Sequence, residues 1–362
     1  MRLSILDQAP VAEGSSASEA LHRSIELAQL GDRLGYHRFW MSEHHAMQTL
    51  ACTAPEVLLA RMGAETERIR LGSGGIMLPH YSVFKVAEQF RTLEAMYPGR
   101  IDLGVGRAPG GGPVESLALR RERRVQPVDD FADQLSELMA FFDQDFPPQH
   151  PFSKLRVMPE SSGTPDVWLL GSSLWSSSAA AEFSLPYAFA HFFSPLPTRA
   201  AIEAYRLAFV PGRRRSAPEA MIAIGVIVAP TQDEAEYLHA SVRLLQRRIR
   251  QGDRRPVASP EVALRELQGF GTDGGEEGEW PRYIVGTPDR VRRDLEAIAG
   301  GLGIDELVVN TITWDHAARL RSYQLLADVM EIGESRNEES LVPTIQSDSD
   351  DLKTDRRTGS AA

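Results

Sequence analysis

The chain has 362 residues, 42% hydrophobic and 25% charged, which excludes a mostly disordered or collagen-like protein. Its 39 lysines and arginines against 50 aspartates and glutamates give a net charge of −11. A body this acidic repels nucleic-acid phosphate and anionic membrane, so any anion must be held by a local site. Cys52 is the only cysteine, which excludes an intrachain disulfide and a cysteine-built metal cluster. No apolar run approaches the ~20 residues of a membrane span, and the N-terminal stretch turns acidic too soon for a signal peptide. A cytoplasmic protein is expected.

Along the chain, strand-like apolar runs alternate with helical periodicities. Arg2–Leu6 reads as a strand, and Ser18 can cap a helix that Gly35 stops after Leu34. A strand follows at Arg38–Met41, then Ser42-Glu43-His44-His45. Thr53-Ala54-Pro55-Glu56 has the spacing of a capping box, opening a helix to about Thr66. Ile69–Met77 is a strand interrupted by Gly72, Gly74 and Gly75, and Val83–Met96 is a helix. Ile101–Val105 is a strand leading into Gly106-Arg107 and a glycine-rich loop, before a helix from Val128 to Phe142. Strands at Val167–Leu170, Tyr187–Phe192 and Met221–Val228 alternate with helices at Ser176–Phe183, Thr198–Phe209 and Asp233–Arg250. Thr287-Pro288 starts another helix, Glu306–Asn310 is the last strand and Ala317–Met330 the last helix.

About eight strand–helix alternations imply parallel strands with crossover helices. A closed (β/α)8 TIM barrel and an open doubly wound sheet compete, and eight units in one body favour the barrel. No composition shift divides residues 1–333, so one domain is expected. Gly252–Pro281, rich in glycine and acids, reads as an insertion or mobile loop. Glu334–Ala362 has few apolar residues and no period and reads as a disordered tail.

In a barrel, the loops after the strands gather at one end and build the active site. The polar residues there are Asp7, Gln8, Glu43, His44, His45, Arg107, Ser172, Ser173, His191, Asn310 and Thr311, with Gly74 and Gly75 beside them. His44 or His45 could be a general acid/base or cofactor contact, a metal ligand with Glu43, or a rim histidine satisfied by hydrogen bonds. Neighbours on a strand point oppositely, so one of the two faces the site. Too few acids follow the strands for a barrel metal centre, and none is expected. Gly171-Ser172-Ser173-Leu174-Trp175-Ser176 suits a phosphate at a helix N-terminus, or plain capping of that helix. Arg107 could clamp a phosphate or form a rim salt bridge. Arg120–Arg124 and Arg213–Arg215 read as solvated basic surface.

Together these segments resemble the bacterial luciferase-like monooxygenases. RFWMSEHH (38–45), IRLGSGGIMLPHY (69–81), KVAEQFRTLEAMYPGR (85–100), IDLGVGRAPG (101–110), VWLLGSS (167–173) and VGTPDRV (285–291) occur in the family's order across almost the whole body. The resemblance implies a flavin-dependent barrel enzyme in which reduced FMN and O2 oxidise a small organic substrate. It places His44 at the reactive edge of the flavin and a non-prolyl cis peptide at Gly74–Gly75 against the ring. Arg107 falls on the FMN phosphate, and Ser172, Ser173 and Ser176 on the phosphate loop. Ser172 stands where luciferase has a glutamate and Gly106 where it has a cysteine, so light emission is not expected; the 110–112 glycines leave that loop's course open. The resemblance also implies a lid at 252–281, a homodimer, and a separate flavin reductase delivering FMNH2, since no second dinucleotide-binding domain is present. Two other classes stay open: an F420-dependent hydride-transfer oxidoreductase and a flavin-binding protein without turnover.

Overall fold

The computed structural model describes residues 1–119, 129–160, 163–268 and 278–333. In chain order the elements are β1 (Arg2–Asp7), α1 (Ala17–Leu34), β2 (Arg38–Met41), α2 (Pro55–Ala64), β3 (Arg70–Met77), α3 (Val83–Met96) and β4 (Ile101–Gly106). A single 3-10 turn, Leu78–His80, follows β3. Then come α4 (Pro113–Leu119), α5 (Phe131–Asp143), β5 (Asp166–Gly171), α6 (Leu174–Glu182), β6 (Tyr187–Ala190), α7 (Thr198–Ala208) and β7 (Ala220–Val228). The chain continues with α8 (Gln232–Arg250), α9 (Pro260–Gln268), β8 (Tyr283–Gly286), α10 (Pro288–Leu302), β9 (Glu306–Asn310) and α11 (His316–Met330).

All strand pairs are parallel, and β1 to β7 with β9 close a ring, because β9 pairs with both β7 and β1. This is the expected (β/α)8 barrel with its eight expected strands. β8 is an addition to the reading. It lies along β7 beyond the end of β6: Ala223 O accepts from Phe192 N–H, while Gly225 N–H donates to Arg282 O. Four residues with three aromatic or β-branched side chains give too short a run to separate from the Thr287-Pro288 helix start.

Side chains alternate across a strand, and the two faces here bury different things. Leu6, Trp40, Trp168, Ala188, Met221, Ala223 and Val308 form one cluster filling the barrel. Leu3, Ile5, Phe39, Leu71, Ile101, Leu103, Val167 and Leu169 face the other way, into the core shared with the helices. Near the N-terminal ends of the strands the interior turns ionic. Arg38 Nε donates to Glu306 at 2.6 Å and its Nη1 to Asp102 at 2.8 Å, while Trp40 Nε1 donates to Asp102 at 2.9 Å. Burial, the largest single influence, would raise both carboxyls, but the Arg38 charge together with the Arg70 charge on Asp102 and the hydrogen bonds to both carboxylates holds them below the usual range.

Several local expectations change. The cap of α1 is Ser16, whose hydroxyl accepts from Glu19 N–H while the Glu19 carboxylate accepts from Ser16 N–H. Ser18 lies inside the helix, since Glu stands three residues after Ser16 and the reciprocal box forms there. The Thr53–Glu56 box does not form: Ala54 is the cap, and Glu56 accepts from Gln89 on α3 at 3.1 Å instead. Arg214 and Arg215, read as solvated, pair with Asp143 (2.6 Å) and Asp166 (2.7 Å). The 252–281 stretch is fixed where it is described: Val257 bridges to Ala12, and α9 packs on α8 through Ala258 and Ala263. The tail at 334–362 and the Arg120–Arg124 run lie outside the described residues, as do 269–277.

Candidate active site

The C-terminal ends of the strands form the mouth of the barrel, with β3 and β4 side by side in its wall. The register between them shifts between Ser73 and Ile76, where the Gly74–Gly75 peptide is cis. A Cβ on Gly75 would lie 2.7 Å from the Gly104 carbonyl oxygen, so the close strand approach there requires glycine. A Cβ on Gly106 would meet nothing within 4 Å. Gly74 and Gly75 remain half-exposed in an otherwise buried strand. Three glycines thus line the ends of β3 and β4: the Leu6 and Trp40 side chains pack at Gly74, Leu170 packs beside Gly75, and Gly106 has open space where a Cβ would be.

β2 ends beside these glycines. His44 is fixed by its N–H to the Cys52 carbonyl (3.0 Å) and by its Nδ1 to the Ser42 hydroxyl (3.0 Å), so Nε2 is the ring nitrogen left for a ligand. Burial, and then the neighbouring His45, lower its pKa to about 4. At neutral pH His44 is therefore a neutral imidazole. The expectation of proton exchange near neutrality gives way to a group that donates or accepts one hydrogen bond without carrying charge. Both histidines lie past the end of β2 at Met41, so strand alternation does not set their directions; His45 Nε2 lies 2.6 Å from Glu43 Oε1. Glu43 also accepts from Met77 N–H at 2.9 Å and from the Tyr81 hydroxyl.

A second part of the mouth lies between β4 and the start of α6. The Arg107 guanidinium lies 3.9 Å over the Trp175 ring, at the second residue of α6, and pairs with Asp129 at 3.1 Å. Both the phosphate-clamp and the salt-bridge readings thus have a physical basis: the group is held beside the helix N-terminus and currently faces a carboxylate. Ser172 is half-buried and Ser173 exposed at that terminus. Ser176 is different: it is buried, its hydroxyl donates to Ser173 O at 2.7 Å and lies 2.9 Å from the Tyr187 hydroxyl. It holds the loop's shape. The course of the glycine run is now fixed. Gly110 has φ +57, a Cβ there would overlap Met77, and its carbonyl accepts from His45 N–H at 3.2 Å.

The remaining rim residues are framework. His191 is fully buried, between Thr198 Oγ1 (2.7 Å) and the Pro281 carbonyl (3.0 Å). Asp7 pairs with Arg319 at 2.7 Å, Asn310 donates to Leu6 O at 3.0 Å, and Thr311 donates to Val226 O at 2.7 Å. The sequence reading did not single out Trp175 or Tyr81. Trp175 lay inside the quoted serine motif, but nothing in one sequence pairs it with Arg107, 68 positions away.

A family model described as luciferase-like monooxygenase matches residues 1–306. The chain belongs to that family. A luciferase-like monooxygenase of Escherichia coli K12 is 40% identical over 328 residues, covering 91% of this chain and 96% of that one. An N-acetyl-S-alkylcysteine monooxygenase of Bacillus subtilis is 38% identical over 332 residues, covering 91% and 98%. Among solved structures, apo-MsnO8 superposes with a TM-score of 0.85 at 47% identity, covering 91% and 98%. The FMN-bound oxygenating constituent of 3,6-diketocamphane monooxygenase shares the fold, with a TM-score of 0.67 at 20% identity. This luciferase-like monooxygenase has no helix, among its described residues, long and apolar enough to cross a membrane.

Proposed function

We propose that this monooxygenase uses FMN, received in reduced form from a separate reductase, to oxidise a small organic substrate with O2. The observation that carries the reading is the glycine-lined strand ends at Gly74, Gly75 and Gly106, where Gly74 and Gly75 are half-exposed, beside a neutral His44, with Arg107 poised at the α6 N-terminus. These parts suit a planar ring with an anionic tail. The Arg107 guanidinium and the N–H groups around Ser172 and Ser173 would bind the phosphate. The glycine-lined strand ends would take the ring, and His44 would hold a hydrogen bond from Nε2 at its edge. When bound, reduced FMN supplies the two electrons that leave one oxygen atom of O2 on the substrate and the other in water.

Arg254 bonds Glu115 on α4 at 2.6 Å and the carbonyl of Ala46, the residue after His45, at 3.2 Å. That bridge ties the 252–281 segment to the His44 loop and would help exclude water. In this respect the described part of 252–281 fits the lid role that the family resemblance gives it.

The test is a parallel titration of the purified protein with FMN, FAD and F420, followed by O2 consumption with NADH and a flavin reductase. The substrate panel includes N-acetyl-S-alkylcysteines, because a relative with that named activity is 38% identical. FMN binding with substrate-dependent O2 uptake supports the reading. Preference for F420 with anaerobic hydride transfer, or flavin binding with no turnover on any substrate, overturns it.

A further inference from the structure

We propose that Glu43 is a positioning residue, which holds the His44 loop and the cis Gly74–Gly75 segment in one fixed relation at the mouth. The inference rests on the flavin reading above. Glu43 is 1% exposed, yet its carboxylate has three donors from three separate stretches. His45 Nε2 comes from its own loop at 2.6 Å. Met77 N–H, at 2.9 Å, belongs to the last residue of β3, two positions past Gly75. The Tyr81 hydroxyl comes from just beyond the 3-10 turn.

The linkage extends one step further. His45 N–H donates to Gly110 O at 3.2 Å, and His80 Nε2 lies 2.8 Å from the Pro109 carbonyl. The loop that follows Arg107 is therefore tied to the same hub. One carboxylate thus fixes the spacing between the imidazole and the Gly74–Gly75 segment, which come from different strands. A buried carboxylate is costly unless its hydrogen-bonding capacity is filled, so the three donors must close on it together. Small errors in such a spacing cost far more in rate than in affinity. Glu43 touches neither ring nor substrate in this account; it acts through His44.

The experiment is a double-mutant cycle between Glu43→Gln and His44→Ala, repeated with Tyr81→Phe. FMN affinity by fluorescence quenching, the visible spectrum of bound FMN, and kcat and KM with reductase-supplied reduced FMN are measured for each. Glu43→Gln keeps the shape and weakens the donors' acceptor. It is expected to lower kcat by about 10²-fold with FMN affinity held within about tenfold. It should move the bound-FMN spectrum in the direction that His44→Ala moves it. Tyr81→Phe is expected to lower kcat by about tenfold. In the His44→Ala background either change should cost less than about twofold more. If either keeps its full effect there, or leaves both the spectrum and kcat unchanged, the positioning role is overturned. Should Glu43→Gln fail to fold, the Tyr81→Phe cycle decides alone. A wild-type chain that binds no FMN overturns the functional reading and this inference with it; one that binds FMN without the coupling overturns the inference only.

Discussion

The two ends of the barrel are built on opposite principles. At the floor, Arg38, Asp102 and Glu306 are charged, buried and paired, and the half-buried Arg70 adds a second cation to Asp102, with bonds of 2.5 to 3.0 Å. At the mouth, Gly74, Gly75 and Gly106 line the ends of β3 and β4, and His44, on the loop after β2, is neutral. The floor pairs its charges with one another. The mouth leaves half-exposed glycines and a ring nitrogen without a committed partner, which is what a binding site needs. The difference teaches where function can be placed in this fold: paired charge at strand starts is framework, while glycine and neutral polarity at strand ends are chemistry.

Breaking the floor should have the largest effect. Arg38→Met leaves Asp102 and Glu306 buried without their shared cation. A loss of about 3–5 kcal/mol is expected, from denaturant unfolding at pH 7. The Trp40 and Arg70 bonds to Asp102 would remain but do not reach Glu306. A loss below about 1 kcal/mol would mean that the floor is solvated.

His44→Ala should spare stability and strike turnover, the reverse of the floor variant. With the Nε2 hydrogen bond removed, turnover should fall by about 10²–10³ while FMN affinity stays within about tenfold. Steady-state kinetics and a binding titration separate the two. His45→Ala is not a silent comparison, because His45 is one of the donors to Glu43. It should lower turnover less than His44→Ala, and a larger effect would assign the chemistry to His45.

Acid should reveal another contrast. His44 and His239 both have pKa values lowered to about 4, chiefly by burial. An unfolded histidine, near 6.5, binds its proton well before the folded one does. Stability is therefore complete above about pH 6.5 and falls as pH drops toward 4. His239 lies on α8 with its ring 5.4 Å from Tyr283, outside the mouth. His239→Gln should remove up to about 2.5 kcal/mol of the stability change between pH 7 and 4.5 and leave kcat unaltered. Unchanged acid sensitivity in denaturation curves would remove His239 as a cause.

The fold was legible because its signals are local and repeated. All eight barrel strands and the exact span Val83–Met96 follow from apolar runs and helical period. What escaped was short or non-local. β8 has four residues, α4 follows a Gly-Pro start with seven, and α9 hides in a segment whose glycines and acids lie mostly downstream of it. At the site, resemblance supplied His44, the Gly74–Gly75 cis bond and Arg107 as positions. It could not supply their states. The neutral charge of His44, the burial of Ser176 and the Trp175 support for Arg107 arise from contacts between distant parts of the chain. Composition and spacing carry no record of these.

The smallest effects should come from the anion end of the mouth, where solvent screens the charges. Arg107 is 41% exposed along its side chain and Asp129 is 65% exposed, so their pair contributes little to stability. Arg107→Ala should leave unfolding nearly unchanged. If Arg107 meets a phosphate, the same change weakens FMN binding by about 1.5–3 kcal/mol, the scale of a charged hydrogen bond. Riboflavin, which has the ring without the phosphate, should lose far less. Trp175→Leu keeps bulk but removes the ring face under the guanidinium, and should cost FMN about 0.5–1 kcal/mol, the exposed cation–π scale. A double variant then tests dependence: Trp175→Leu should add almost nothing once Arg107 is gone. Equal losses for FMN and riboflavin would move the phosphate elsewhere along the mouth and leave Arg107 as a partner of Asp129 alone.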